Sequence, residues 1–240
     1  VLNLLAIFGA NKLLGKAVEL YGEEVDKLTL DERITISSMG TEMGAIAILF
    51  TPTEEIYRQL ERLTGKKMPR IFADDDAVYA ETYEIDMSTF VPMVARPGHP
   101  HDDAPVETVK KTHIDSAFIG SCTNGRLSDL KIAAEMLQGK RVHEDVRLIV
   151  TPGTQQILRE ANKLGYIDII VDAGGVVSNP TCGACLGGYM GILGDNEVAI
   201  STTNRNFVGR MGSRSSQVYL ANAAVAAASA VTGLITAPTR

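Results

Sequence analysis

The sequence predicts an α/β protein of mostly parallel sheets covered by helices, and three observations carry that expectation. Beyond residue 105, apolar runs alternate with amphipathic ones, as strand and helix do in a parallel sheet. The chain has 240 residues, enough for one large α/β unit or for two domains. A stretch crowded with proline and glycine, 94–105, divides it. Two domains are therefore expected: residues 1–97, a partial first α/β domain, and residues 98–240.

In chain order, Leu13, Leu14, Ala17, Val18 and Tyr21 recur at helical spacing and stop at Gly22, which predicts a helix. Residues 33–36 read as a short strand running into the small-residue stretch 37–45, where backbone could approach another group closely. Thr51, Pro52 and Glu54 form a capping pattern with Thr51 as N-cap, for a helix ending near Gly65. Asp74, Asp75 and Asp76 read as a solvated loop, and 79–85 alternates like a strand. His99, His101 and Asp102 have the composition of a chelate, but the surrounding prolines hold the chain extended and an exposed linker is the better reading. After it come strand 114–119, helix 127–137, strand 146–150, helix 154–164 closed by Gly165, strands 167–171 and 198–201, and an Ala-rich buried helix over 218–231.

Composition narrows the function classes. An apolar fraction of 45% and a charged fraction of 22% suit a soluble globular protein. The net charge of -6 disfavours nucleic acid as the main partner, although local arginines can still receive an anionic substrate. No apolar run approaches the roughly 20 residues of a membrane-spanning helix. The opening Val1-Leu2-Asn3 has neither Met nor a basic lead-in, so it reads as the interior of a longer protein rather than a signal peptide. With 3 cysteines a paired disulfide framework is disfavoured and a reducing cytoplasm is expected.

Ligands of open parallel sheets sit at the carboxyl ends of the strands. The loops there are Gly120-Ser121-Cys122-Thr123-Asn124-Gly125-Arg126, Cys182-Gly183-Ala184-Cys185, and Asn204-Arg205-Asn206-Phe207-Val208-Gly209-Arg210, so all the cysteines fall on one sheet edge. A structural zinc ion would want a fourth ligand, for which His113 or His143 could be proposed. A thiol redox pair leaves Cys122 unexplained. A 4Fe-4S cluster held by three thiolates would leave one iron open as a Lewis acid. Three unrelated buried thiols remain the bland reading.

In order and spacing these three loops resemble the signature of the aconitase superfamily, and most closely its members built from separate large and small subunits. The likeness reaches back to 36–45 and covers most of the chain from about Thr29 onward. It implies an aconitase-like iron-sulfur domain in which Cys122, Cys182 and Cys185 ligate the cluster. Glu42 matches the carboxylate that meets the hydroxyl or water on the open iron. Arg205 and Arg210 match arginines around the substrate carboxylates, and Asn204 an Asn near the cluster sulfurs. Ser38 departs from the family, whose members often carry Asn there. Taken alone, Glu42 reads as an ordinary capped or salt-bridged carboxylate and Arg210 as half of a surface ion pair, whereas Arg205, in Asn-Arg-Asn straight after a strand, has no obvious packing reason. Arg126 and Ser121 read as shaping the cysteine loop.

The activity implied is reversible dehydration of a hydroxy-di- or tricarboxylate. In the family the base is a Ser on a swivelling domain, a separate small subunit in two-subunit members. Neither it nor the expected upstream Asp-Ser-His stretch occurs in this sequence. The chain is therefore expected to hold the cluster without turning over substrate alone. A noncatalytic metal-stabilised scaffold or redox module is the contrasting reading.

Overall fold

The computed structural model describes residues 1–238, so the last two residues of the expected second domain lie outside the described residues. In chain order the elements are α1 (Leu2–Phe8), β1 (Ala17–Leu20), α2 (Glu23–Asp26), α3 (Leu30–Ser38), β2 (Ala47–Phe50), α4 (Glu54–Thr64), β3 (Met93–Ala95), β4 (Asp103–Pro105), β5 (Ser116–Gly120), α5 (Ser121–Asn124), α6 (Leu127–Leu137), β6 (Arg147–Thr151), α7 (Gln155–Lys163), α8 (Tyr166–Asp172), β7 (Val176–Val177), β8 (Val198–Ser201), β9 (Gln217–Leu220) and α9 (Ala223–Thr232). They gather into two compact units, residues 1–9 with 91–240, and residues 10–90.

This division differs from the expected one at residue 97. The Pro/Gly stretch is a hairpin of the larger unit, in which Val94 pairs with Ala104 and Ala95 with Asp103. The Arg96–Asp102 ion pair and the bond from Arg96 N to Asp102 O, 2.8 Å, close it. Its prolines are tolerated because β4 is the edge strand, where a missing N–H leaves no ladder bond unmade.

In the smaller unit, β1 and β2 pair in parallel. The helix expected over 13–21 gives way to β1, whose pairing with β2 outweighs a short helical pattern. The strand expected at 33–36 is helix α3. Its start is fixed by a reciprocal cap, Thr29 N donating to Glu32 Oε2 at 2.8 Å and Glu32 N to Thr29 Oγ1 at 3.3 Å. Arg33, only 4% exposed, satisfies its guanidinium on the carbonyls of Leu28, Thr51 and Val25. The N-cap of α4 is Thr53 rather than Thr51, and the helix ends at Gly65 as expected. Residues 79–85 form no strand; Tyr79 bonds Glu19, and Lys16 and Tyr83 bond Glu81 instead.

The larger unit is built on a sheet ordered β4-β3-β9-β8-β5-β6-β7, with β9 through β7 parallel and the hairpin antiparallel at one edge. Helices α6, α8 and α9 cover one face, packing Leu130, Ala134, Ile170, Val225 and Ala226 on Ala117 and Ile119. On the other face Phe118, Ile149 and Ala199 lie under Ala184, Leu193 and Met211, which come from loops. Helices α6, α8 and α9 therefore cover one side, and the loops after β7 and β8, with Leu2 of α1, cover the other. Of the Ala-rich stretch, the first residues form β9, and Asn222 then caps α9 by accepting from Val225 N at 2.9 Å. The expected strand 167–171 is helix α8, while the true strand, β7, is only two residues long. A short apolar run reads equally well as a buried helix, which is the physical source of that difference. Among the described residues no helix is long and apolar enough to cross a membrane.

Two predictions follow from this packing. Gly120 ends β5 at φ 126°, and a Cβ there would lie 1.9 Å from Thr151 O. Gly120→Ala should cost about 3 kcal/mol, from overpacking and backbone strain together, in denaturant unfolding. On β4, burial, reinforced by Asp102, pushes the Asp103 carboxyl up to about 7 against the pull of the Val1 amino group and Arg96. Neither carboxylate oxygen has a hydrogen-bond partner among the described residues. A raised carboxyl favours the folded state when protonated, so this contribution is complete below about pH 4 and lost as pH rises through about 7. Asp103→Asn should then stabilise the protein at pH 8 by about 2 kcal/mol, a half-exposed discount on the roughly 4 kcal/mol of such a shift, and change little at pH 4.

Candidate functional site

The carboxyl ends of β5, β7 and β8 open on one edge of the larger sheet, as their parallel pairing requires. The chain leaves β5 for β6 on one side and returns to β8 on the other, so a topological switch lies between β5 and β8. Cys122 sits on the first side of that crevice, and Asn204 and Arg205 on the second.

The segment carrying Cys122 turns sharply. Gly120 and then Ser121, the latter a non-glycine residue at φ 91° and 2% exposed, both take left-handed backbone. Such strain persists only where neighbours overdetermine it. Here Gly120 N donates to Thr202 Oγ1 at 2.8 Å, Gly125 N to Ser121 O at 3.0 Å, and Gly153 N to Gly125 O at 2.8 Å. Residues 120–125 are thus wedged between the ends of β6 and β8, and the Cys122 side chain is left exposed at the edge.

Cys182 and Cys185 bracket the start of a tight 3-10 turn. Gly183 N donates to Thr181 Oγ1 at 2.7 Å, and Cys185 N to Cys182 O at 3.3 Å. Gly183, at φ 59°, rests so closely on Phe118 that a Cβ would meet its ring at 2.3 Å. Thr151 Oγ1 and Ser178 Oγ, 2.9 Å apart, tie the approach of this segment to the end of β6.

All three thiols are free. Burial pushes the Cys182 thiol up, and its hydrogen bond with Cys122 and the proximity of Cys122 and Cys185 push it further, against the pull of Arg210. Arg210 Nη2 stands 4.0 Å from Cys185 Sγ. The buried Nε of the same guanidinium has no hydrogen-bond partner among the described residues. Three free thiols gathered beside an unsatisfied cationic donor suit an inorganic centre that takes them as thiolates. Among the described residues no three His, Cys, Asp or Glu side chains close around a single metal ion. An iron-sulfur cluster does not require that, because each thiolate binds its own iron. The fourth zinc ligands considered from sequence are excluded by position: His113 and His143 precede β5 and β6 and so lie at the opposite edge of the sheet. His143 Nδ1 accepts from Asp145 N at 3.3 Å.

Across the switch, Asn204 Oδ1 accepts from Asn124 Nδ2 at 2.9 Å. Arg205 is half-buried, with its carbonyl accepting from Thr203 Oγ1 at 3.4 Å. Asn206 anchors the rest of the loop by donating to Arg96 O at 2.6 Å and Val218 O at 3.1 Å. Arg126 N donates to Asp129 Oδ2 at 3.0 Å at the start of α6. In the smaller unit, Glu42 is half-buried on the 3-10 turn Gly40–Met43, with Thr41 Oγ1 3.5 Å from its carboxylate. Ser38 Oγ donates to Thr35 O at 3.0 Å at the end of α3.

The larger unit therefore gathers Cys122, Cys182, Cys185 and Arg210, with Asn204 joined to the Cys122 loop, whereas Glu42 belongs to the smaller unit. Sequence reasoning missed Asn124, Thr151 and Thr202. Asn124 and Thr202 sit in the same strand-end loops as Cys122 and Asn204, and that position was the available signal.

A family model described as the aconitase family (aconitate hydratase) matches residues 1–114 and 107–233. The 3-isopropylmalate dehydratase large subunit of Sulfurimonas denitrificans is 59% identical over 241 residues, covering 99% of this chain and 58% of that protein. The proteins of the same name from Aliarcobacter butzleri and Wolinella succinogenes are 54% and 52% identical, again over 99% of this chain and over 58% and 57% of their own lengths. The chain thus spans a little under three-fifths of these relatives. With the matched residues running through every cysteine-bearing loop and both arginines of the 204–210 segment, the chain belongs to the aconitase family.

Proposed function

We propose that this chain forms the cluster-bearing part of the large subunit of an iron-sulfur hydro-lyase that interconverts 2- and 3-isopropylmalate, a step of leucine biosynthesis. The observation that carries the reading is the meeting of three free thiols with Arg210 at one sheet edge. The names of the relatives at 51–59% identity supply the substrate. Homoaconitase chemistry, on a longer hydroxy-tricarboxylate, is the runner-up.

In this reading Cys122, Cys182 and Cys185 hold the group. The free thiols and the unpartnered Arg210 Nε fit an anionic sulfur-rich cluster. A 4Fe-4S cluster, when bound, supplies one iron without a protein thiolate that withdraws electron density from a leaving hydroxyl. Arg205 and Arg210 orient the substrate carboxylates through charge-assisted hydrogen bonds. Glu42 bonds the leaving hydroxyl or water and holds its proton. Asn204 donates to the anionic centre from beside it. The proton on the adjacent carbon falls to a base on a small swivelling subunit, the partner implied by relatives named as large subunits. The chain then binds and orients substrate without completing turnover by itself. Thiolates at an exposed edge also suit the reducing cytoplasm.

Anaerobic reconstitution tests the reading. It should yield about four irons and four sulfides per chain with absorbance near 400 nm. Uptake of one zinc ion instead would support the scaffold alternative and sink this one. With the small subunit present, isopropylmalate should be the preferred substrate over homocitrate and citrate. In the assembled enzyme Arg205→Lys keeps the charge but loses the planar fork, and should lower kcat/KM by about 30–100-fold, mostly through KM. An unchanged KM would remove Arg205 from the substrate site.

A further inference from the structure

One side-chain amide spans the crevice between β5 and β8. Asn124, on the segment carrying Cys122, donates through Nδ2 both to Asn204 Oδ1 at 2.9 Å and to the main-chain carbonyl of Thr202. Thr202 in turn accepts from Gly120 N at 2.8 Å and donates to Gly120 O at 3.3 Å. Both acceptors of the Asn124 amide therefore lie on a segment already clasped to the end of β5.

A carboxamide has a donor end and an acceptor end of nearly the same shape, and what fixes its orientation is the partner at one end. Here the partner is a donor. With Asn204 Oδ1 committed to Asn124, Asn204 Nδ2 is the end kept available to donate. Turning Asn204 round would set two NH2 groups face to face and leave both unpaired, at a cost of about 1–3 kcal/mol.

We infer that Asn124 is a positioning residue that fixes the orientation of the Asn204 amide, so that an anionic centre held by the cysteines meets an N–H donor rather than a carbonyl oxygen. The inference rests on the cluster reading above and adds a residue to it. A donor to cluster sulfur favours the reduced, more negative state and so raises the reduction potential, whereas an acceptor in its place lowers it.

The test is a spectroscopic redox titration, with electron paramagnetic resonance of the reduced cluster, on the cluster-loaded large subunit assembled with its small subunit. Asn124→Asp presents an acceptor to Asn204 and reverses its amide, so the potential should fall and the resonance should shift. The new carboxylate charge lowers the potential as well. The substitution is therefore repeated on an Asn204→Ala background, where the charge remains and the amide is gone. A larger fall with Asn204 present than absent is expected, and equal falls in the two backgrounds overturn the inference. If Asn124→Asp does not accumulate folded, Asn124→Leu, which removes the donor without adding charge, is measured in the same way. A fall that vanishes without Asn204 supports the inference, and one that persists in full overturns it. A wild-type protein that takes up no cluster overturns the preceding reading and this inference with it. Normal loading with equal falls overturns this inference alone.

Discussion

The wedging of residues 120–125 between the ends of β6 and β8 is the constraint on which the rest of the site depends. Thr151 O leaves no room for a Cβ at Gly120 or Gly125, and Thr202 holds Gly120 from the other side. With both walls fixed, the chain can leave β5 only through the left-handed pair Gly120–Ser121, and that turn carries Cys122 to the exposed edge. The same Thr151 faces the Cys182 segment through Ser178. One buried threonine at the end of β6 thus links two segments that the sequence separates by about sixty residues.

The larger unit was legible in the sequence where periodicity and length agreed. Helix 127–137, helix 154–164 and the strands ending near 120, 151 and 201 occur where their patterns place them. What failed were short apolar runs whose character is set by neighbours. Residues 167–171 became a helix because one face of the run, through Ile170, meets the core behind β6, while a two-residue strand, β7, took the pairing position. In the smaller unit the reciprocal cap of Thr29 and Glu32 outweighed the β-branched run at 33–36, and 79–85 alternates in sequence but meets β1 through the Tyr79 side chain on Glu19 rather than through a backbone ladder. The candidate site was more legible than the fold around it. Glycine, cysteine and asparagine clustered after strands mark an edge even when a strand is misplaced. The error over 167–171 therefore left Cys182 and Cys185 on the correct edge.

Residues that act through one another were the part that could not be read. Nothing in the spacing of Asn124 and Asn204, eighty positions apart, reveals that one amide orients the other; it takes the parallel pairing of β5 with β8 to bring the two loops together. The same pairing explains why neither histidine considered as a fourth zinc ligand reaches the cysteines. His113 and His143 are as close in sequence to strands as the cysteines are, but they precede their strands and so fall on the far edge.

Forming a thiolate at Cys182 is opposed before anything binds there. Burial and the other two cysteines oppose a thiolate at Cys182, and Arg210 offsets this only in part while carrying an unsatisfied buried N–H that costs about 1–3 kcal/mol. The centre does not hold itself together. The segments that carry the thiols are held by packing and hydrogen bonds beside them: Phe118 under Gly183, Thr151 against Ser178, Thr202 on Gly120. Such a centre is preorganised, because the free energy of assembling the thiols has already been met by packing in the sheet. On the cluster reading, a cationic inorganic core would bind in loops already ordered, and its binding would add to the stability of the folded chain. On this argument the strain at Ser121 and the crowding at Gly120 are conditions of the chemistry: relaxing either would let the Cys122 segment retreat from the edge and leave Cys182 and Cys185 as an isolated pair.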